Sequence, residues 1–181
     1  MRVRLTVSLA LCLVGICAPA AAVERQWHLG AGLGAGTFKG SSGLAPGAGA
    51  YAAYGINDVF DARLELTAIT YDFSKPPAPV DRTQVYSALV GLSYKVDVIE
   101  WVPYMGLLVG YTRFSEGPKP EQRSKNDLGF DAHVGLDYLW TRSVGFGTKL
   151  SYQGFLGNPP DSLTDTPSFV FMVRTEYRWG W

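Results

Sequence analysis

The stretch 128–140 reads LGFDAHVGLDYLW, and its residues alternate in polarity with a period of two. One set is wholly apolar and consists of Leu128, Phe130, Ala132, Val134, Leu136, Tyr138 and Trp140. The other set consists of Gly129, Asp131, His133, Gly135, Asp137 and Leu139. Successive side chains of a β-strand point to opposite faces, whereas a helix would mix the two sets on every face. The stretch is therefore predicted to be a β-strand with one apolar and one polar face.

The same alternation recurs on both sides of this stretch. Predicted strands cover residues 27–36, 46–55, 60–68, 86–95, 104–111, 128–140, 144–152 and 168–181. Long polar or proline-rich links at 38–45, 74–82, 115–126 and 156–167 alternate with short ones near 57–58, 97–101 and 141–143. An even strand count, with short turns at one end and long loops at the other, is typical of a transmembrane barrel. The pattern predicts an all-β fold, an eight-stranded antiparallel up-and-down transmembrane β-barrel with a polar filled interior.

Composition limits the possible functions. The chain has 181 residues, 47% of them apolar, and 16 basic against 16 acidic side chains, which fits one folded domain. A zero net charge produces no long-range field for a polyanion, so no nucleic-acid partner is expected. The two cysteines exclude a disulfide framework and most metal sites, and no metal or cofactor is predicted.

The N-terminal segment is predicted to be a secretory signal peptide. Arg2 and Arg4 precede an apolar run at residues 5–17, and the small residues of 18–22 (APAAA) provide a cleavage site before Val23. The apolar run is too short for a helix that crosses a bilayer, which needs about 20 residues. We expect residues 1–22 to be removed and residues 23–181 to form the barrel.

Alternation alone does not decide whether the apolar face points outward to lipid or inward to a ligand, as in a soluble exported lipocalin-like barrel. The tryptophans favour the membrane, because all of them fall at one predicted end of the strands and amphipathic rings collect at membrane interfaces. This aromatic girdle consists of Trp27, Trp101, Trp140, Trp179 and Trp181. A second belt is expected at the other end, from Tyr71, Phe73, Tyr86, Tyr111, Phe114, Tyr152, Phe155 and Phe169, although four of these fall on the inward or loop side.

The signal peptide, the eight strands, the stretch PYMGLLVGYTRF at 103–114 and the ending YRWGW at 177–181 resemble the small outer-membrane β-barrel proteins of Gram-negative bacteria. The group is that of outer-membrane proteins A, X and W. The resemblance implies a place in the cell outer membrane and contact with its lipid and lipopolysaccharide. It also implies that Tyr177, Trp179 and Trp181 form a signal for the barrel assembly machinery, although these rings are equally explained as interface aromatics.

The interior limits what such a barrel does, because eight strands enclose a space just wide enough for side chains to fill. The inward set contains Asp61, Arg63, Glu65, Lys95, Asp131, His133, Asp137, Lys149, Arg174, Glu176 and Arg178. Unpaired buried charges are costly, so an ion-pair network is expected. Its predicted members are Arg63, Glu65, Asp131, Lys149, Arg174 and Glu176. A gated path for protons or small ions through this network is the alternative.

Catalysis is not predicted. Both histidines, His28 and His133, fall on the inward face, and no serine stands beside either on the lipid side. An Asp131–His133 contact inside the barrel is possible, and a lipid-A-modifying enzyme stays as an alternative. The third long loop carries charges of both signs, at Glu116, Lys119, Glu121, Arg123 and Lys125. We expect a structural or envelope-interaction protein, at most a narrow channel, whose extracellular loops could contact an envelope complex.

Overall fold

Eight antiparallel strands account for nearly all of the residues that the computed structural model describes, which are 25–37, 43–73, 81–96, 100–116, 123–156 and 168–180. The strands are β1 (Trp27–Thr37), β2 (Ala45–Gly55), β3 (Phe60–Phe73), β4 (Asp81–Lys95), β5 (Trp101–Glu116), β6 (Arg123–Leu139), β7 (Val144–Phe155) and β8 (Ser168–Trp179). Each strand pairs with its neighbour in the chain, and β1 pairs with β8, which closes the barrel. The predicted fold class is confirmed. Within the described residues, no helix is long and apolar enough to cross a membrane.

The register around the barrel fixes its size. The row of paired residues that starts at Trp27 returns to β1 at Thr37, ten residues further along the strand. Between these ends the row passes through Tyr54, Ala62, Leu92, Leu107, Ala132, Tyr152 and Phe169. With standard strand spacings, this offset gives a strand tilt of about 40° and a backbone radius of about 8 Å. Because the offset is even, outward residues meet outward residues where the barrel closes.

The strands are longer than predicted at the end that carries the long loops. β3 runs to Phe73, β4 starts at Asp81, β5 runs to Glu116 and β6 starts at Arg123. Outward positions in these extensions carry polar side chains, such as Thr70, Gln84 and Arg113, so the apolar outward face of the rest of each strand ends there. The backbone ladder nevertheless continues, because cross-strand hydrogen bonds do not depend on an apolar face once the strand has left the bilayer.

The outward face between the two ends is apolar. Leu33 is 72% exposed and Leu107 is 68% exposed, and they belong to a continuous apolar surface that extends over all eight strands. Among the described residues, no outward strand position carries a charge from the level of the short-turn tryptophans up to the level of Tyr111. The charged side chains in this part of the strands are instead buried in the lumen. The barrel is therefore apolar outside and charged inside, as a membrane-spanning barrel requires.

The lumen itself has two layers. The larger one, toward the short turns, contains ten buried charged residues and is called the ion-pair layer below. The other, toward the long loops, is an apolar cluster that we call the apolar cap, formed by Ala45, Ile69, Tyr71, Val85, Phe114, Val170 and Met172. Phe155 packs against the cap, and its ring meets that of Phe114 edge to face at 4.9 Å. Sequence analysis did not indicate this cap.

The cap also corrects the expected second aromatic belt. Tyr86, Tyr111, Tyr152 and Phe169 are exposed on the outward face, as an interface belt requires. Tyr71 and Phe114 are instead fully buried in the lumen, where the Tyr71 hydroxyl lies 2.7 Å from the Ser168 Oγ. Strict alternation already placed both side chains inward, and the structure follows the alternation.

The barrel interior as the candidate functional site

Two tyrosines, Tyr51 and Tyr104, lie in the ion-pair layer against the barrel wall. Tyr51 stands opposite Gly30 in the β1–β2 register, and Tyr104 stands opposite Gly135 in the β5–β6 register. Each ring lies so close to its glycine that an added Cβ would overlap the ring. A glycine at these two positions therefore lets the tyrosine lie flat against the barrel wall.

Two arginines stack on these rings. The Arg63 guanidinium carbon lies 3.8 Å from the centre of the Tyr51 ring, and that of Arg174 lies 4.1 Å from the Tyr104 ring. Arg174 also lies 4.6 Å from the Tyr51 ring. Aromatic faces attract cations most strongly where water is excluded, so the rings stabilise both guanidinium groups at the centre of the lumen.

Carboxylates complete the central pairs. Arg174 binds Asp137 with two hydrogen bonds, Nε to Oδ1 at 3.0 Å and Nη2 to Oδ2 at 2.5 Å. Arg63 binds Glu65 through Nη2 at 3.0 Å, and the other oxygen of Glu65 accepts a hydrogen bond from Lys149. Two parallel bonds from a planar guanidinium fix both partners in orientation as well as in distance.

A second chain of contacts lies nearer the short turns. Lys95 pairs with Asp61 at 2.9 Å, and its Nζ lies 3.4 Å from the His28 Nε2. The other ring nitrogen of His28 lies 3.3 Å from Glu176. Glu176 also accepts hydrogen bonds from Arg178 and from the Tyr51 hydroxyl. Through Tyr51 this chain contacts the central arginines.

The buried charges balance in number. Among the described residues the lumen holds five carboxylates and five cations, which are Asp61, Glu65, Asp131, Asp137 and Glu176 with Arg63, Lys95, Lys149, Arg174 and Arg178. The cavities left between them measure ≈ 10 Å³ and ≈ 20 Å³. Such volumes hold about one water molecule each. The layer is therefore closely packed around these two cavities.

The six predicted network residues all lie in this layer, but Arg174 and Glu176 pair with residues outside the predicted set. Arg63 and Lys149 share Glu65, and Lys149 lies 3.8 Å from Asp131. Arg174 pairs with Asp137, and Glu176 pairs with Arg178 and His28. The position of each charge along its own strand does not determine its partner, because pairing depends on the register and on which side chains reach across the lumen.

The family follows from comparison of the whole chain with known proteins. The profile of the outer membrane protein beta-barrel domain matches residues 8–178, which is nearly the full length. The chain belongs to this outer-membrane β-barrel family. No curated protein sequence matches the chain.

Solved structures of this kind share the fold. Neisserial surface protein A superposes with a TM-score of 0.64 at 17% identity, over 88% of this chain and 100% of the other. OprG from Pseudomonas aeruginosa gives 0.63 at 14% identity, over 87% and 97%. Ail, the attachment invasion locus protein of Yersinia pestis, solved with the heparin analogue sucrose octasulfate, gives 0.61 at 14% identity, over 87% and 100%. At these identities the likeness concerns the fold, that of small eight-stranded outer-membrane barrels.

Four of the five predicted girdle residues lie at one rim of the barrel. Trp27, Trp101, Trp140 and Trp179 are all exposed at the short-turn rim. The ring centres of Trp27 and Trp179 are 6.5 Å apart in a stacked arrangement, and those of Trp101 and Tyr138 are 4.9 Å apart. Tyr177 and Trp179, two residues of the predicted assembly signal, project outward from β8. Trp181 and residues 1–22 lie outside the described residues, so the signal peptide stays a prediction.

The interior also contains the residue types of a hydrolytic triad, which sequence analysis detected only in part. His133 Nδ1 lies 2.7 Å from Asp131, as the possible contact anticipated, and its Nε2 lies 3.4 Å from the Ser93 Oγ. Ser93 and His133 belong to β4 and β6, and the residue between them on β5 is Gly106. A Cβ on Gly106 would collide with both side chains, so the glycine is what brings them together.

The surroundings of this array decide what it does chemically. Ser93 and His133 are each 3% exposed and point into the lumen, whereas the acyl chains of the membrane lie on the other side of the barrel wall. The cavity that adjoins Ser93 measures ≈ 20 Å³, which is too small for an ester substrate. Asp131 is further engaged by Gln153 at 3.0 Å. Among the described residues, no cluster of three His, Cys, Asp or Glu side chains could hold a metal ion.

Proposed function

We propose that this outer-membrane barrel has a structural and envelope-interaction role and that it neither catalyses a reaction nor conducts ions. The observation that carries the proposal is the packed lumen. The cavities described in the ion-pair layer measure ≈ 10 Å³ and ≈ 20 Å³, and the apolar cap fills the lumen above this layer. A hydrated ion would have to displace both layers to pass.

The Ser93–His133–Asp131 array supports a second candidate, a lipid-A-modifying enzyme, and the burial of the array argues against it. A hydrolase of this kind needs a nucleophile that the substrate can reach and donors that stabilise the oxyanion. Ser93 has neither a cavity of sufficient size nor access from the lipid side. We therefore assign the array to the ion-pair layer, where it orients His133 against Asp131.

Two measurements separate these roles. Expression of the chain in a Gram-negative host should leave the mass of lipid A unchanged, and a fluorophosphonate probe should not label the folded protein. The Ser93→Ala variant is the matched control, because any labelling of Ser93 disappears in it. A lipid A product that lacks an acyl chain, formed by the wild type and lost in Ser93→Ala, would contradict the proposal.

We propose that the long loops carry out the interaction part of the role. The loop between β5 and β6 carries charges of both signs. Ail, a protein with a similar fold, is named for attachment, and its structure was solved with a heparin analogue. We expect partners in the cell envelope or outside the cell to contact these loops rather than the closed lumen. Replacement of residues 117–122 by a glycine–serine linker should leave the heat-modifiable migration of the folded barrel intact. The same change should abolish the crosslinked partners of the wild type, and retention of all of them would contradict this assignment.

A further inference from the structure

A groove crosses the lipid-facing surface of β2, β3, β4 and β5 near the long-loop end. Its volume is ≈ 580 Å³. The floor is formed by small side chains, and the walls are larger apolar and aromatic ones. The lipid-facing lining is Ala48, Ala50, Leu66, Ala68, Tyr86, Ala88, Tyr111 and Arg113. The four alanines produce the groove, because their small side chains leave space beside Leu66, Tyr86 and Tyr111.

Arg113 stands at the long-loop end of this groove. It lies opposite Tyr86 in the β4–β5 register and two residues beyond Tyr111 on the same face. It is exposed, and its Nη2 donates a hydrogen bond to the Ser124 Oγ at 3.2 Å. Within the described residues no carboxylate pairs with it. Four of its five N–H donors are therefore available to an anion.

The height of Arg113 identifies the membrane region that it meets. Arg113 lies beyond the apolar band on the side of the long loops, next to the exposed rings of Tyr86 and Tyr111. Aromatic residues of this kind mark the boundary between acyl chains and head groups. The long loops of such barrels are extracellular. Arg113 therefore lies at the phosphate level of the outer leaflet, and the alanine groove below it lies among the acyl chains.

We propose that this groove is a binding site for lipid A, with one acyl chain in the alanine groove and one phosphate on the Arg113 guanidinium. The alanine floor accepts a slender apolar chain, and the planar fork of arginine matches two phosphate oxygens. The Tyr111 hydroxyl, on the same face of β5, adds a donor beside the phosphate. The inference rests on the outer-membrane placement of the chain and does not depend on its structural role.

A second lipid-facing groove provides an internal comparison. It is larger, at ≈ 760 Å³, and lies across β4 to β7 around Ala132, with Leu92, Met105, Leu107 and Tyr152 in its lining. Its lining contains no Asp, Glu, Lys or Arg side chain. An acyl chain fits there as well, but nothing holds a head group. Charge at the rim, rather than groove volume, therefore distinguishes the proposed site.

The test uses the purified full chain, folded in a neutral maltoside detergent. Native mass spectrometry or calorimetric titration would measure binding of lipid A, of lipid A without its phosphates and of phosphatidylglycerol. Arg113→Gln removes the phosphate ligand, and Arg142→Gln removes the same charge at the opposite rim as a control. Ala88→Leu fills the alanine groove, and Ala132→Leu fills the second groove as its control. The heat-dependent shift in gel migration verifies folding, and Ala68→Val replaces Ala88→Leu if the latter does not fold.

We expect Arg113→Gln to weaken lipid A binding by about tenfold or more, as loss of a charged hydrogen-bonding group does. The same variant should lose the preference for phosphorylated over dephosphorylated lipid A. Ala88→Leu should also weaken binding, whereas Arg142→Gln and Ala132→Leu should leave it unchanged. Equal affinity of Arg113→Gln and wild type, or equal effects of Ala88→Leu and Ala132→Leu, would overturn the proposal. Binding of phosphatidylglycerol as tight as that of lipid A would overturn the choice of lipid.

Discussion

The two layers of the lumen fill the same kind of space in opposite ways. In the ion-pair layer, five cations and five carboxylates hold one another in fixed orientations, and Tyr51 and Tyr104 support the central arginines. In the apolar cap, side chains such as Phe114 and Ile69 exclude water without any pairing. The polar layer depends on each partner being present, while the cap depends on volume. The two layers should therefore respond differently to substitution.

The largest effect is expected where one partner of a buried pair is removed. Arg174→Met leaves the Asp137 carboxylate buried without its bidentate partner. We expect the free energy of unfolding to fall by about 3–5 kcal/mol. Urea unfolding in lipid vesicles, followed by tryptophan fluorescence, measures this change. The double variant Arg174→Met/Asp137→Leu should recover most of the loss, and a double variant no more stable than the single one would contradict the pairing.

Removal of volume from the cap should have the next largest effect. Phe114→Ala deletes a fully buried ring that contacts Phe155. Large-to-small changes of this type destabilise by about 3 kcal/mol, and in the cap no charge is left unpaired. Leu107→Ala is the control, since Leu107 faces lipid and is 68% exposed. If both variants unfold at the same urea concentration, the cap is not a packed layer.

The contact between Gly135 and Tyr104 can be tested by the addition of a single methyl group. Gly135→Ala would drive a Cβ into the Tyr104 ring and displace it from the wall beside Arg174. Overpacking of this kind lowers stability by about 1–3 kcal/mol. Gly145→Ala is a milder change, because its Cβ would lie 3.3 Å from Leu139 and from the Tyr138 carbonyl oxygen. The same urea titration should separate the two variants, and equal midpoints would remove the role assigned to Gly135.

The smallest effect is expected at Ser93. The Ser93 Oγ lies 3.4 Å from His133, at the long end for a hydrogen bond, so Ser93→Ala should change the unfolding free energy by about 0.5–1 kcal/mol. His133 keeps its 2.7 Å contact with Asp131 in this variant. A loss larger than that of Gly135→Ala would mean that the hydroxyl has a role which the geometry does not account for.

Much of the fold could be predicted because alternation with a period of two is a local property of the sequence. The stretch 128–140 and the last strand carry it without interruption, and the outward and inward sets of the structure follow it. The sequence pattern underestimates the lengths of β3, β4, β5 and β6, because the outward positions of their extensions are polar and the apolar outward face ends there. The inward charges could be identified for the same local reason.

The partners of those charges could not be predicted, because they are set by the register and by the ten-residue offset of the closed barrel. Lys149 reaches Glu65 across 84 positions of the chain. Ser93 contacts His133 only because the residue between them on the intervening strand is Gly106, which has no side chain to keep them apart. Tyr51 and Tyr104 gain their roles from glycines on neighbouring strands. The one sequence signal for these contacts is an inward glycine, and its meaning appears only once the strands are aligned.

The central claim is that the two layers together close the lumen, and single-channel recording in planar lipid bilayers tests it most directly. The folded wild type, Glu65→Gln and Lys149→Met should be compared under the same voltage. The packed ion-pair layer and the apolar cap predict no conductance steps in any of the three proteins. Reproducible steps in the wild type that change in size or frequency in Glu65→Gln or Lys149→Met would contradict a closed lumen and indicate a gated path through the network.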